Sequence, residues 1–215
     1  MESRKSYPEP MDEQGHWDRL YAGRSPDQVS WYRPHLERSL ALIESARLPL
    51  DASIIDVGGG TSTLVDDLLD RGYERVAVLD ISACAIARAQ ARLGPRAGQV
   101  TWLVGDITTI ELPIGEYEFW HDRAVFHFLR DESARTSYIL SVRRALKLGG
   151  HIVVATFGLQ GPKECSGLEV MRYSAEQIHG HFGQPFEKLS SFVEIHQTPS
   201  GAEQEFVYCY CKRTG

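Results

Sequence analysis

The chain has 215 residues, and 42% of them are hydrophobic, which suits one α/β domain with a short appendage and a core that needs neither disulfides nor metals. Its formal net charge of -6 argues against a nucleic-acid partner and against binding to an anionic membrane surface. No run approaches the ~20 apolar residues that span a bilayer, and the polar start lacks a secretory pattern. We therefore predict a cytoplasmic protein.

The first 35 residues differ from the rest of the chain, and we predict a division into 1–35 and 36–215. Residues 1–15 are expected to form an irregular polar tail, because prolines and Gly15 interrupt regular elements. We predict that the aromatic residues that follow form a lid, which would exclude water and cage a cation. These residues are Trp17, Tyr21, Trp31 and Tyr32. Packing of their rings against the sheet is the alternative interpretation.

Strands and helices alternate from residue 36 onwards. The predicted helices are 36–47, 63–71, 84–93 and 133–146. The predicted strands are 53–57, 75–79, 100–104, 117–120 and 152–157. Gly72 and Gly94 lie where left-handed helix ends are expected, and Ser82 is positioned to cap a helix. Alternation of this kind is typical of a parallel sheet covered on both faces.

The C-terminal part has a different pattern. Ser174 and Gln177 form a capping box that opens a short helix. Two strand-like runs, 186–196 and 205–212, are joined by a turn at 198–201 and predict a hairpin. We therefore predict an α/β fold of three layers, with a Rossmann-like, mostly parallel sheet that ends in a C-terminal antiparallel hairpin.

A glycine-rich turn follows the first predicted strand. Gly58, Gly59 and Gly60 allow the backbone to approach a ligand closely and to adopt positive φ angles. A dinucleotide-binding turn would carry a further glycine where this chain has Thr63. Asp56 places a negative charge just before the turn, where it would repel a phosphate. The turn is therefore predicted to bind a positively charged ligand.

Two more acids end the next two strands. Asp80 lies 80 − 56 = 24 residues after Asp56, and its two carboxylate oxygens match the two hydroxyls of a ribose. Asp106, which follows Gly105, is a candidate acceptor for an adenine amino group, and nearby isoleucines supply apolar walls. Single acids at strand ends are also common helix caps. Together with the glycine turn, however, the acids predict a nucleoside site.

These motifs resemble those of the class I S-adenosylmethionine (SAM)-dependent methyltransferases: Asp56-x-Gly58-x-Gly60, then Asp80, then Gly105-Asp106. Ser62 stands where many members carry a further glycine. The resemblance implies that SAM is the cofactor and S-adenosylhomocysteine the product, with Gly58 and Gly60 against the methionine part. The candidate cofactor-binding residues are Asp56, Gly58, Gly59, Gly60, Ser62, Asp80, Ile81, Gly105, Asp106, Ile107 and His121.

The acceptor is expected beyond the fourth strand, because ligands of open α/β sheets bind at the carboxyl ends of the strands. His121, Asp122 and Arg123 are the candidate catalytic residues there. His121 is the candidate base, Asp122 would orient an amine or the histidine, and Arg123 would bind an anionic group. A solvated, salt-bridged turn is the alternative interpretation of these three residues.

The sequence thus predicts methyl transfer from SAM to a small-molecule acceptor, either a thiol, an amine or a metalloid. A protein-lysine methyltransferase is the alternative, and a nicotinamide-dependent oxidoreductase or a non-catalytic SAM-binding protein are alternatives of other classes. The histidines lack metal-ligand spacing, so no metal is predicted. Cys165 is a candidate contact for a soft substrate, although a small packing residue is the simpler interpretation. The oligomeric state is left open.

Overall fold

The computed structural model describes residues 12–215. Its six α-helices within that range are α1 Glu13–Gly23, α2 Glu37–Ser45, α3 Leu64–Asp70, α4 Ala83–Leu93, α5 Glu132–Ala145 and α6 Ala175–Phe182. Its strands are β1 Ser53–Val57, β2 Arg75–Asp80, β3 Val100–Val104, β4 Tyr117–Arg123, β5 Leu146–Phe157, β6 Glu164–Cys165, β7 Leu168–Glu169, β8 Phe186–Gln197 and β9 Glu203–Arg213. Within this range, no helix combines the length and apolar content needed to cross a bilayer.

Seven strands form the central sheet in the order β3-β2-β1-β4-β5-β9-β8. The first five are mutually parallel, whereas β9 runs antiparallel to both β5 and β8. The predicted mostly parallel sheet with a C-terminal antiparallel hairpin is confirmed. The small hairpin of β6 and β7, after β5, was not predicted.

Two apolar clusters cover the two faces of the sheet. On one face, Ile54 of β1 packs with Leu40 and Ile43 of α2 and with residues of α3 and α4. On the other, Ile55 packs in the cluster formed by α5 and α6. Neighbouring residues of a strand point to opposite faces, and β1 is buried along its whole length. A strand buried on both faces requires the helical layers that give this three-layer architecture.

Helix α1 begins earlier than the composition predicts. The Asp12 carboxylate accepts a hydrogen bond from Gly15 N at 2.9 Å, which caps the first turn. Gly15 therefore lies inside a helix, and the expectation of an irregular tail is wrong for residues 13–15. The remainder of that predicted tail, residues 1–11 with the prolines, lies outside the described residues. The predicted division at residue 35 stays a prediction.

Candidate active site

The glycine turn joins β1 to α3 and is held against the end of β2. Gly58 N and Gly59 N both donate to Leu79 O, at 2.7 and 3.2 Å. Gly58 and Gly60 have positive φ angles of +69° and +47°. A Cβ on Gly58 would lie 2.0 Å from Val125 Cγ2, so only a glycine lets this turn pass beneath the segment that follows β4.

We expect Gly58→Ala to lower the free energy of unfolding by ~1–3 kcal/mol, because it adds both overpacking and strain at a positive φ angle. Urea denaturation would measure the loss. Gly98→Ala is the matched control, because nothing lies within 4 Å of its added Cβ and its φ is not positive. In the Gly58→Ala background, Val125→Ala should restore part of the lost free energy of unfolding, because it removes the methyl group that clashes. If the effects of the two substitutions are strictly additive, the clash between positions 58 and 125 is contradicted.

Two clefts open at the carboxyl ends of the strands and share Gly58, Trp31 and Arg123 as lining residues. The first cleft brings together most of the predicted nucleoside site: Gly58, Asp80, Ile81, Gly105, Asp106 and Ile107. The second is lined by the other predicted residues, Asp56, Gly59, Ser62 and His121. Gly60 lines neither cleft, but a Cβ there would lie 3.0 Å from Asp80 Oδ2. The predicted cofactor residues therefore adjoin one another around the turn.

Asp80 is the acid of the first cleft whose pKa is raised most strongly. Its Oδ1 accepts a hydrogen bond from Ser82 N at 2.8 Å, and only 5% of the residue is exposed. Burial, together with the charges of Asp56 and Asp18, raises the pKa of Asp80 to about 7. A carboxylate so placed gains from ligand hydroxyls that replace its lost hydration.

Asp106 follows β3 by two residues, near the end of β2. Gly105 N donates to Asp80 O at 3.0 Å and ties the two strand ends together. Asp106 Oδ1 accepts bonds from Thr108 N and Thr108 Oγ1, both at 2.8 Å. Oδ1 thus caps the following turn, and Oδ2 of the same carboxylate is the oxygen left for a ligand.

His121 has protein partners on both ring nitrogens. Nδ1 lies 2.7 Å from Asp56 Oδ1 and Nε2 lies 2.8 Å from Ser39 Oγ, while 1% of the residue is exposed. Asp56 and His121 are register partners of the paired strands β1 and β4. A catalytic base needs a nitrogen free to take a proton from the acceptor. The geometry instead makes His121 a positioning partner of Asp56.

Asp122 points into the core. Its carboxylate accepts bonds from Val125 N at 2.9 Å, Phe126 N at 3.2 Å and Tyr138 Oη at 2.6 Å. The residue is fully buried and lines neither cleft, and burial raises its pKa to about 6. Asp122 therefore fixes the turn after β4, and the predicted contact with a substrate amine does not occur in this arrangement.

Arg123 is the member of the predicted catalytic triplet that faces both clefts. Its Nη1 donates to Trp31 O at 3.0 Å and its Nε to Tyr208 Oη at 3.2 Å. The guanidinium carbon also lies 4.2 Å from the centre of the Phe206 ring. These contacts hold the side chain against the C-terminal strands, and its third nitrogen, Nη2, is buried.

The predicted lid aromatics meet over the first cleft. Trp17 lies 5.9 Å from Trp31 and 5.1 Å from Phe128, between ring centres, and both contacts are edge-to-face. Tyr21 is 5% exposed, and its hydroxyl would be 2.8 Å from a Cβ on Gly60. Tyr32, in contrast, lines only the second cleft. Three of the four predicted aromatics thus share one wall.

Helix α1 is fastened in this position by polar contacts. Asp18 Oδ1 accepts from Ser82 Oγ at 2.6 Å and from Cys84 N at 3.0 Å, at the start of α4. Arg88 Nη2 donates to Ala22 O at 3.1 Å, near the other end of α1. The aromatic wall is therefore attached to the element that follows Asp80.

The sequence missed several residues of the first cleft. Glu13, Phe128 and Leu129 line it although no motif marks them. Burial raises the pKa of Glu13, and the nearby charges of Asp106 and Asp131 raise it further. Glu13 reaches the cleft only because α1 folds over it. Cys165, which the sequence left undecided, also lines this cleft.

A glycine turn between β1 and α3, acids at the ends of three neighbouring strands and a seven-stranded sheet with an antiparallel end together define a class I methyltransferase fold. A family model described as a methyltransferase domain matches residues 54–150. The chain therefore carries a methyltransferase domain of the SAM-dependent class. SAM is the cofactor of this family. The site fits it, because glycines occupy positions 58–60 of the turn and the buried carboxyl group of Asp80 lines the same cleft as Gly58.

Curated relatives at low identity are named as methyltransferases of eEF1A. The eEF1A lysine and N-terminal methyltransferase of Bos taurus is 24% identical over 195 residues, covering 88% of this chain and 25% of that protein. The chain therefore spans about a quarter of the length of this relative. The human EEF1A lysine methyltransferase 2 is 20% identical over 196 residues, covering 85% of this chain and 77% of that protein.

Solved structures share the fold at still lower identity. One, from work on the conversion of a disulfide bond into a thioacetal group during echinomycin biosynthesis, has a TM-score of 0.75 at 18% identity and covers 94% of this chain and 92% of that chain. Haemonchus contortus phosphoethanolamine N-methyltransferase 2, in complex with phosphomonomethylethanolamine and S-adenosylhomocysteine, has a TM-score of 0.73 at 15% identity, with coverages of 97% and 62%.

Proposed function

We propose that this chain transfers a methyl group from SAM to a small-molecule acceptor. The observation that carries the proposal is the aromatic wall of the first cleft. Trp17 contacts both Trp31 and Phe128, and all three rings line this cleft; α1, which carries Trp17, is held in place through Asp18. A cleft walled in this way suits a compact ligand that is surrounded on several sides.

In this proposal, one set of residues binds SAM and another set encloses the reacting atoms. Asp80 accepts from the ribose hydroxyls, Asp106 accepts from the adenine amino group, and Gly58 and Gly60 leave room for the methionine part. The aromatic wall excludes water from the reacting atoms. SAM supplies a methyl group that is already activated by its positively charged sulfur. Alignment and desolvation therefore carry most of the catalysis, and a dedicated base is not required for a good nucleophile.

A protein-lysine methyltransferase is the second candidate, and the named relatives favour it. Aromatic rings also stabilise an ammonium group by cation–π contacts, worth ~0.5–2 kcal/mol each. A lysine side chain would have to enter past α1, because Trp17 and Tyr21 of that helix line the cleft.

Turnover to S-adenosylhomocysteine is the test of the proposed function. The purified chain is incubated with SAM and, separately, with small thiols, amines, metalloid oxyanions and purified eEF1A. We expect at least one small acceptor to give product at ten times the rate of the acceptor-free reaction, while eEF1A stays at that background. Product with eEF1A alone would replace the proposal by the second candidate. No product with any acceptor, despite SAM binding, would indicate a non-catalytic SAM-binding protein.

A further inference from the structure

The guanidinium of Arg123 is buried with an unused donor. The residue is 9% exposed and lines both clefts beside Gly58 and Trp31. Nη1 and Nε donate to Trp31 O and Tyr208 Oη, whereas Nη2 is buried and has no hydrogen-bond partner among residues 12–215. A buried N–H group of a charged side chain that lacks an acceptor is costly, about 1–3 kcal/mol or more. A ligand atom is the natural partner for this donor.

The positive charge of Arg123 also has no carboxylate partner in the part of the chain that the structure describes. Among residues 12–215, no carboxylate lies within 4.0 Å of its guanidinium. Glu194 approaches only through Tyr208, whose hydroxyl donates to Glu194 Oε2 at 3.0 Å. The other oxygen of Glu194 is paired with Arg33 at 3.1 Å. Buried charges are normally paired, so we expect an anion to pair with the guanidinium of Arg123.

The titratable groups around Arg123 do not supply that anion. Burial raises the pKa of Cys165 to about 11, which keeps it a neutral thiol. Burial and the charge of Arg123 lower the pKa of His127 to about 3 and that of His196 to about 4, so both rings are neutral. Burial also raises the pKa of Tyr208. The guanidinium is thus surrounded by neutral groups and an aromatic face.

We propose that Arg123 is an anion receptor of this site, with Nη2 donating to a carboxylate group of a bound ligand. Two ligands can bring this group: the amino-acid part of SAM, or an acidic acceptor. The inference rests on the proposed function and sharpens it. If the acceptor supplies the carboxylate, the substrate is a small organic anion, and a lysine ammonium is disfavoured by like-charge repulsion.

The donor arm of the test compares SAM with decarboxylated SAM, which keeps the amino group and lacks only the carboxylate. Isothermal titration is carried out on the wild-type chain and on Arg123→Met and Arg123→Lys. If SAM supplies the anion, the wild-type chain binds SAM at least tenfold more tightly than the decarboxylated compound. Arg123→Met then loses this preference, and Arg123→Lys keeps part of it because the charge remains.

The acceptor arm uses 3-mercaptopropionate and its neutral amide, titrated separately into the complex with S-adenosylhomocysteine. If the acceptor supplies the anion, the wild-type complex prefers the acid at least tenfold, and Arg123→Met abolishes the preference. Arg96→Met is the control in both arms, because Arg96 is a surface residue paired with Asp70. It should bind all four compounds like the wild-type chain.

The outcomes separate the inference from the proposed function. A preference that disappears in Arg123→Met in either arm supports the inference and identifies the source of the anion. Indifference of the wild-type chain to the carboxylate in both arms overturns it, and this result does not depend on how well a variant folds. Both arms measure binding alone, so a chain that binds SAM but never turns over would defeat the proposed function and leave the inference standing.

Discussion

Replacing Asp80 with alanine is expected to weaken SAM binding more than tenfold, as measured by isothermal titration. Each hydrogen bond to a charged group is worth ~1.5–3 kcal/mol, and 1.4 kcal/mol corresponds to a factor of ten in affinity. Asp80 lines the first cleft beside the glycine turn and is 5% exposed. Its loss should therefore remove the acceptor for the ribose hydroxyls without replacement by bulk water.

The affinity should also depend on pH through the same residue. Burial raises the pKa of Asp80 to about 7, and a protonated carboxyl accepts less well from two hydroxyls. A ligand that requires the ionised form must displace this proton, so SAM affinity should fall about tenfold between pH 8 and pH 6. Asp80→Asn should bind weakly with little dependence on pH over this range.

Asp66→Ala is the matched control for the Asp80 experiments, because Asp66 is an acid of α3 that pairs with Arg92 of α4. It should bind SAM like the wild-type chain. An affinity unchanged by Asp80→Ala would remove Asp80 from the site, and an Asp66→Ala loss of similar size would show that the effect is not specific to the cleft.

Two strands of the sheet were readable from the sequence because they are short, mostly apolar runs followed by a glycine. The predicted bounds of β1 and β3 agree with Ser53–Val57 and Val100–Val104. β1 is buried along its whole length and is mostly apolar, and Gly58, at a positive φ angle, marks the turn that follows it. The acids of the site were found from the same strands, since Asp56 and Asp80 lie at the ends of β1 and β2 and Asp106 follows β3 by two residues.

The start of helix α1 was missed because contacts with residues distant in the sequence stabilise this helix. Its first turn is capped by Asp12, but much of its attachment comes from residues far along the chain, such as Ser82 and Arg88. Isolated helices of this length are marginal in water and depend on tertiary packing. The pattern of Glu13–Gly23 alone could not reveal that it folds over the first cleft.

The roles within 121–123 depend on strand register, which periodicity does not give. The sequence predicted His121 to lie at the carboxyl end of its strand. The β1–β4 register then sets it beside Asp56, and a 2.7 Å contact satisfies both residues. Alternation along β4 sends Asp122 to the opposite face, toward Tyr138. Only the pairing of strands distinguishes a free histidine from one that is already bonded.

Asp122→Ala is expected to lower the free energy of unfolding by ~3–5 kcal/mol, the size found when one partner of a buried charged network is removed. The change leaves Val125 N, Phe126 N and the Tyr138 hydroxyl without their acceptor. For a chain of this size, each 1 kcal/mol lowers Tm by ~2–4 °C. A Tm decrease of about 10 °C in a thermal scan would therefore confirm the loss.

Asp122→Asn separates a structural role from a catalytic one. The amide oxygen still accepts from the two backbone N–H groups, so the loss of stability should be only ~1 kcal/mol. Burial raises the pKa of Asp122 to about 6 in the folded chain, so the folded state holds this proton more tightly than the unfolded state. The contribution of Asp122 to stability thus declines as pH rises from about 4 to 6. Asp122→Asn should lack this decline. If the asparagine variant instead folds like the wild-type chain but loses all turnover at unchanged SAM affinity, Asp122 acts on the acceptor.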